Sequence, residues 1–407
     1  MPPPLPRSVK LLGLASLLTD LATEAIYPLL PLFVTRVLGG SVVALGVIEG
    51  AADAVSSLLK VVAGRASDRA ERRKPFVIVG YAIASLARPF IAAATIWQHV
   101  FAVRLIDRVG KGLRGAPRDA MLAALAPAGQ RGRIFGYHRA MDHTGAVIGP
   151  LVAAGFLWVF PDQYRTLFAL TIVPGVLAVI TLTFVHEPAV PPMRQTKTKT
   201  HDIKHEAPDA RVERQPVGLG SPLGRYLLIL AVFTIGNSTD AFLLLRLSDA
   251  GLAAVFLPLA WSALHVVKSS LSTLGGTLSD RVGRRRMIVA GWLFYAVVYV
   301  GFALADSLAA LLVWLGLYGL HFAMVEGSEK ALVADLTPHH LQGTAFGWYN
   351  AMLGVGALAA SVLFGVLWER FGPPAAFLTG AGLAIIASVL LAMDSRLGAP
   401  AAQRASV

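Results

Sequence analysis

Carboxylates recur in pairs four residues apart: Asp20 with Glu24, and Glu49 with Asp53. At helical spacing each pair shares one face. A further stretch carries Arg104, Asp107 and Arg108, one turn apart, and continues through Lys111, Arg114, Arg118 and Asp119. Another carries His138, Arg139, Asp142 and His143. All lie within or beside long apolar runs. A charge inside a bilayer costs about 2.5–3.5 kcal/mol on insertion scales, so such groups are paired or line a water-filled cavity. Opposite signs on neighbouring segments therefore predict a mutually neutralising network. A carboxylate in a partly dehydrated cavity holds its proton more tightly, and a nearby guanidinium loosens it. Opening the cavity to one side, or moving the cation, would load or release that proton. On this reasoning Asp20, Glu24, Asp53 and Asp142 include a proton-binding carboxylate, and Arg108 is its switching counter-ion.

The elements that must position these groups follow from composition. The 407 residues are 55% hydrophobic and 15% charged, with a mean hydropathy of +0.63. Soluble domains carry about a quarter charged residues, whereas a bilayer core of about 30 Å needs roughly 20 apolar residues per helix. Apolar segments fall at about 9–36, 42–64, 75–97, 99–125, 133–160 and 164–185, then at 224–247, 251–277, 287–306, 308–334, 342–370 and 374–394. Between the two sets lies a Pro-, Lys- and Glu-rich stretch that reads as a solvated linker. The expectation is an all-α integral membrane protein with twelve transmembrane helices in two pseudo-symmetric six-helix bundles. Residues 1–185 form the first bundle, 186–222 a cytoplasmic linker and 223–407 the second.

Net charge is +12, from 36 Lys and Arg against 24 Asp and Glu. The basic residues gather in alternate connectors, at 65–74, 111–133 and 281–286, as in the positive-inside pattern. That places both termini and the linker in the cytoplasm, with the chain a multi-pass protein of a bacterial-type inner (plasma) membrane. The basicity thus speaks for a lipid bilayer rather than for nucleic acid as partner. Absence of cysteine excludes a disulfide scaffold and thiol chemistry.

The chain also repeats itself. GRASDRAERRK at 64–74 is echoed by GTLSDRVGRRR at 276–286, a shift of 212. At a shift of 211, Pro127, Gly132, Phe135, Gly136, Ala140, Met141 and Gly145 match Pro338, Gly343, Phe346, Gly347, Ala351, Met352 and Gly356. Parallel repeats of this kind place a transport site between the halves near the midplane. The same shift sets Arg104, Asp107, Arg108 and Lys111 on Leu315, Tyr318, Gly319 and Phe322. The second half keeps the scaffold without the charge network, so the network serves function rather than the fold.

These motifs resemble the major facilitator superfamily along essentially the whole chain. The loop at 64–73 is similar to its signature loop, and the copy at 276–285 is closer still. The first copy departs from the pattern in having Glu71 where the family prefers glycine. The resemblance implies a conformational latch of Asp68, Arg69, Arg72 and Arg73 with Asp280, Arg281, Arg284 and Arg285, the carboxylates pairing with arginines near helix C-termini. Gly145, Gly149 and Pro150 form a Gly-x-x-x-Gly-Pro run that looks like the motif of proton-coupled exporters in this superfamily. Small residues four apart also let helix backbones approach closely.

For the solute, Tyr27, Arg104, Arg139, His265, Lys268, Tyr318 and His321 are expected to line the cavity, a mixed cationic and aromatic wall suited to an amphipathic or anionic organic compound. No His-Glu-x-x-His metal motif, hydrolase elbow or phosphate loop occurs, so no catalytic residue, metal or cofactor is expected and the chain is not read as an enzyme. The expected function is secondary transport, as proton-coupled export of a small organic solute by alternating access. The alternatives are a proton-symporting importer of a siderophore, nutrient or organic anion, and a non-transporting membrane sensor. Solute and protons are the expected partners, and a monomer suffices to form the pathway.

Overall fold

Helix starts are written into the sequence. Ser41, Ser221 and Ser307 each accept a hydrogen bond from the backbone N–H three residues on, at 3.0, 3.0 and 3.2 Å, which satisfies an orphan donor of the first turn. Proline occupies the first turn at 75, 222, 258 and 373, where its missing N–H costs nothing. In this computed structural model the described residues are 5–70, 72–125, 131–187, 221–337, 342–394 and 397.

Twelve long helical segments result among them. The first six are α1 (Arg7–Val37), α2 (Val42–Arg69), α3 (Lys74–Ala93), α4 (Trp97–Ala124), α5 (Arg131–Val159) and α6 (Tyr164–Thr183). The second six are α7 (Pro222–Asp249), α8 (Leu257–Val282), α9 (Arg284–Leu304), α10 (Leu308–Asp335), α11 (Gln342–Phe371) and α12 (Pro373–Met393). Eleven are long and apolar enough to cross a bilayer. The exception is α4, which carries Arg104, Asp107, Arg108, Lys111, Arg114, Arg118 and Asp119. The linker expected at 186–222 falls, apart from its ends, outside the described residues.

The halves share one packing plan. In the first, α1 packs on α5 and α6, α2 on α4, and α3 on α4 and α6; in the second, α7 packs on α11 and α12, α8 on α10, and α9 on α10 and α12. Across the seam α2 meets α11 and α5 meets α8, a pair of contacts related by the same pseudo-symmetry. The second half is filled with aromatics. Phe233 stacks on Trp292 at 4.5 Å and Tyr295 on Tyr299 at 4.0 Å. Large apolar side chains such as Leu86, Trp158 and Val313 face outward, as lipid contact requires.

Two local departures from regular helix matter for the site. In α1 a tight turn at Tyr27–Leu29 and a widened one at Phe33–Val37 surround Pro28 and Pro31, so the helix bends where Tyr27 projects. Along α5, a Cβ on Gly145 would stand 2.5 Å from the Leu17 carbonyl oxygen, and one on Gly149 would collide with that of Leu21. The glycines of the Gly-x-x-x-Gly-Pro run thus let α5 lie directly on α1, beside Asp20.

Candidate functional site

A cavity of about 1210 Å³ enters between the halves from the end at which α1 begins and α12 finishes, lined by Lys60, Arg118, Arg139, Asp142, Glu326 and Trp348 among others. It leads to an inner chamber of about 200 Å³. Asp20, Glu24, Lys111, Arg114 and His265 line both, so the two are continuous. Beyond the chamber the halves are closed. Tyr27 Oη lies 3.2 Å from Thr239 Oγ1, and Arg36 donates to the Ser248 carbonyl oxygen at 2.9 Å. The Val43 N–H donates to Glu369 at 2.8 Å. The bond nearest the chamber joins Trp261 Nε1 to Glu24 Oε2 at 2.7 Å, with His265 Nε2 4.0 Å from the same oxygen.

The expected charge network is present and extends further than the sequence indicated. Arg104 grips Glu49 through Nε at 2.9 Å and Nη2 at 2.6 Å, both groups being buried. Asp107 receives Arg88 at 2.8 Å and Arg108 at 3.0 Å, with Arg104 at 3.8 Å. Asp53 lies 3.9 Å from Arg108 Nε. In the second half Lys268 donates to Asp240 at 3.1 Å, Tyr318 donates to the other oxygen of that carboxylate at 2.6 Å, and the Lys268 ammonium sits 3.6 Å from the Phe322 ring centre.

Of the expected proton-binding group, Asp20, Glu24, Asp53 and Arg108 meet at the inner chamber, while Asp142 lines the outer cavity. Their partners differ. Glu24 holds Trp261, Asp53 faces Arg108, and Asp142 is hydrogen-bonded by Ser16 with His138 at 3.5 Å. Asp20 makes no hydrogen bond or ion pair with a described residue. Arg108 is therefore tied to Asp107 and Asp53, not to Asp20, Glu24 or Asp142.

Among the expected cavity residues, Tyr27, His265, Lys268 and Arg139 do line it. Three do not. Arg104 is turned away from the chamber because Glu49, on the adjacent helix, takes the Nε/Nη2 edge of its guanidinium. Tyr318 is fully buried behind Asp240, and His321 is locked against the Gly291 carbonyl oxygen at 2.9 Å.

The latch is only partly visible. The side chains of Asp68, Arg69 and Asp280 lie outside the described residues, as does Glu71. Arg72 and Arg281 are exposed. Beside them, the backbone N–H groups of Arg73 and Lys74 donate to Glu187 at 2.6 and 3.0 Å. In the second copy Gly283 takes φ +99°, a conformation that suits glycine. There Arg284 reaches Asp335 at 3.5 Å, and Arg285 donates to the carbonyl oxygens of Leu391 and Ala392. These bonds tie α9 to α10 and α12 within one half.

Sequence reasoning missed Arg88 and Glu329. Arg88 is a lone arginine within an apolar run, and only its contact with Asp107 marks it. Glu329 is buried and accepts Trp292 Nε1 at 3.0 Å and Tyr349 Oη at 2.9 Å. In the sequence it sits in Glu326-Gly327-Ser328-Glu329-Lys330, where nothing sets it apart from its charged neighbours.

Comparison with known proteins agrees with this architecture. The sequence matches the Major Facilitator Superfamily over residues 12–267 and 248–405. It is 32% identical, over 95% of its length and 94% of the relative's, to an uncharacterized MFS-type transporter of Methanocaldococcus jannaschii. A partial likeness, 28% identity over 37% of this chain and 39% of the other, links it to the quinolone resistance protein NorA of Staphylococcus aureus. The fold matches that of the nucleoside transporter NupG at a TM-score of 0.77, with 12% identity, covering 95% of this chain and 100% of that one. A family match across nearly the whole chain, two like-packed six-helix halves and a polar cavity between them lead to one assignment: the chain is a multi-pass membrane transporter of the Major Facilitator Superfamily.

Proposed function

We propose that the chain is a proton-coupled secondary transporter of a small organic solute, working by alternating access, with Asp20 as the proton-binding group. The observation that carries this reading is the carboxylate of Asp20, without a hydrogen-bond or ion-pair partner among the described residues, at the junction of a chamber and a cavity that opens to one end. Every other candidate carboxylate is engaged by a neighbour, so Asp20 is the one whose charge can change without first breaking a bond. Rocking of the halves would close the outer cavity and part the contacts around Tyr27, Trp261 and Thr239, exposing the same group to the opposite side. The positive-inside pattern puts the open end in the cytoplasm of a bacterial or archaeal cell, with both termini there. The bonds of Arg284 and Arg285 would then steady the cytoplasmic helix ends during that motion. One polypeptide encloses the whole pathway, consistent with a working monomer.

Export, expected from the fifth-helix motif, is the direction that the partial likeness to NorA supports. Uptake together with protons is the second reading, favoured by Lys111 and Arg114 on the chamber wall beside Asp20. The test is accumulation of a solute panel in reconstituted vesicles with and without a pH gradient. Asp20→Asn should abolish gradient-driven accumulation while solute exchange at equal pH persists. Full gradient-driven transport by Asp20→Asn would refute the assignment.

A further inference from the structure

Pairing off the charges around the inner chamber leaves a remainder. Glu49 matches Arg104, Asp107 and Asp53 serve Arg88 and Arg108, and Asp240 matches Lys268. What is left on the wall is Lys111 and Arg114 facing Asp20 and Glu24. Lys111 makes no ion pair or hydrogen bond with a described residue. Arg114 is 5% exposed, and its guanidinium lies 4.1 Å over the Tyr81 ring. Stacking engages the flat face of a guanidinium and leaves its in-plane N–H groups unserved. Among the described residues its Nη1 has no hydrogen-bond acceptor, and on the same wall neither has Arg108 Nε nor Arg88 Nη1. Buried cationic donors without acceptors are costly, and an oxyanion is the ligand that would satisfy them.

Two further features agree. The outer cavity is lined by seven Lys or Arg against five Asp or Glu, a basic approach that draws anions inward. On the chamber wall stand Tyr27 and Trp261, their rings 4.9 Å apart, an apolar surface for the body of a solute.

We propose that Lys111 and Arg114 form a subsite for the carboxylate or phosphate head of an organic anion, and that a proton on Asp20 strengthens its binding. This rests on the reading of Asp20 given above. The groups facing Asp20 are Glu24 on its own helix, Lys111 and Arg114 from α4, Asp142 from α5 and His265 from α8. The ionisable residues of α6, Tyr164 and Arg165, lie at its far end, and Asp240 of α7 is held by Lys268. Ionised, Asp20 competes with the solute for Lys111 and Arg114 and repels it. Protonated, it does neither. Proton and anion therefore bind together and cross together, so a proton gradient directed inward drives uptake. Exchange of solute for proton needs the opposite sign, with the proton weakening solute binding.

The test is titration of the purified full chain in detergent with benzoate, phenyl phosphate and phenyltrimethylammonium, followed by tryptophan fluorescence and calorimetry. Both anions should bind in preference to the cation. Lys111→Gln and Arg114→Gln should each weaken anion binding by about tenfold or more, and Lys111→Arg should stay within about threefold of the parent. Thermal unfolding checks that each variant is folded, and the Lys111→Gln and Lys111→Arg pair decides the matter if Arg114→Gln is not. Anion affinity should rise as pH falls, and Asp20→Asn should bind tightly at every pH. Preference for the cation, no anion binding at millimolar concentration, or parental affinity in Lys111→Gln would overturn the subsite. Anion binding that needs Lys111 but ignores both pH and Asp20→Asn would keep the subsite and refute the proton's role.

Discussion

The bond between Trp261 Nε1 and Glu24 is the closure nearest the chamber, and it can be removed almost alone. Trp261→Phe keeps an aromatic ring against Tyr27, though a smaller one, and deletes the N–H that donates at 2.7 Å. A hydrogen bond to a charged group contributes about 1.5–3 kcal/mol. The bond joins the halves on the closed side, so it must break when that side opens. Its loss should therefore shift the ratio of conformers toward the opposite opening by about 10- to 150-fold, at about 1.4 kcal/mol per tenfold. The absence of cysteine from the chain gives a clean reporter. Ser361 is fully buried on α11, its carbonyl oxygen pressed against Gly46 of α2, so Ser361→Cys is reachable only when this seam parts. A membrane-impermeant maleimide applied from the side opposite the termini should label Cys at this position at least tenfold faster once Trp261→Phe is added. A labelling rate changed by less than about twofold would show that the bond does not hold the seam, and the gating argument would fail.

Further expectations concern stability and packing. Glu49→Gln strands the buried Arg104 and should cost about 3–5 kcal/mol in detergent unfolding, whereas Glu49→Leu with Arg104→Leu should recover most of that loss; equal damage in the single and double variants would contradict it. Gly145→Ala should destabilise by about 1–3 kcal/mol through its collision with the Leu17 carbonyl. Gly155→Ala, with open space around it, should be neutral or stabilising by up to about 1 kcal/mol, and thermal unfolding of the two side by side checks the difference.

How much was legible in the sequence depends on whether a feature is local. Eleven of the twelve helices could be read because apolar length is a property of one segment, and the charges of α4 marked the site because charge in a membrane helix is costly wherever it packs. Pairing was not legible. Spacing put Arg104 and Arg108 on one helix, but which of them faces the chamber is decided by Glu49 and Asp107, whose positions depend on how α2, α3 and α4 cross. Likewise Tyr318 and His321 looked like wall residues, yet the aromatic packing of the second half and the Asp240 carboxylate draw them behind the surface. The repeat correctly signalled that the second half lacks the α4 charges. It could not show that tyrosine, tryptophan and phenylalanine fill the corresponding space.

The polarity of α4 bears on how the chain is made. At about 2.5–3.5 kcal/mol for each charge near a helix centre, Arg104, Asp107 and Arg108 alone would add about 8–10 kcal/mol to its solitary entry into lipid. Their neutralising partners Glu49 and Arg88 belong to α2 and α3, which leave the ribosome first. The nascent chain thus carries its own counter-ions ahead of the helix that requires them, and α4 would enter the bilayer as the third helix of an assembly rather than as an independent span. Stripping both partners should leave this segment stalled outside the membrane and reverse the topology of everything translated after it.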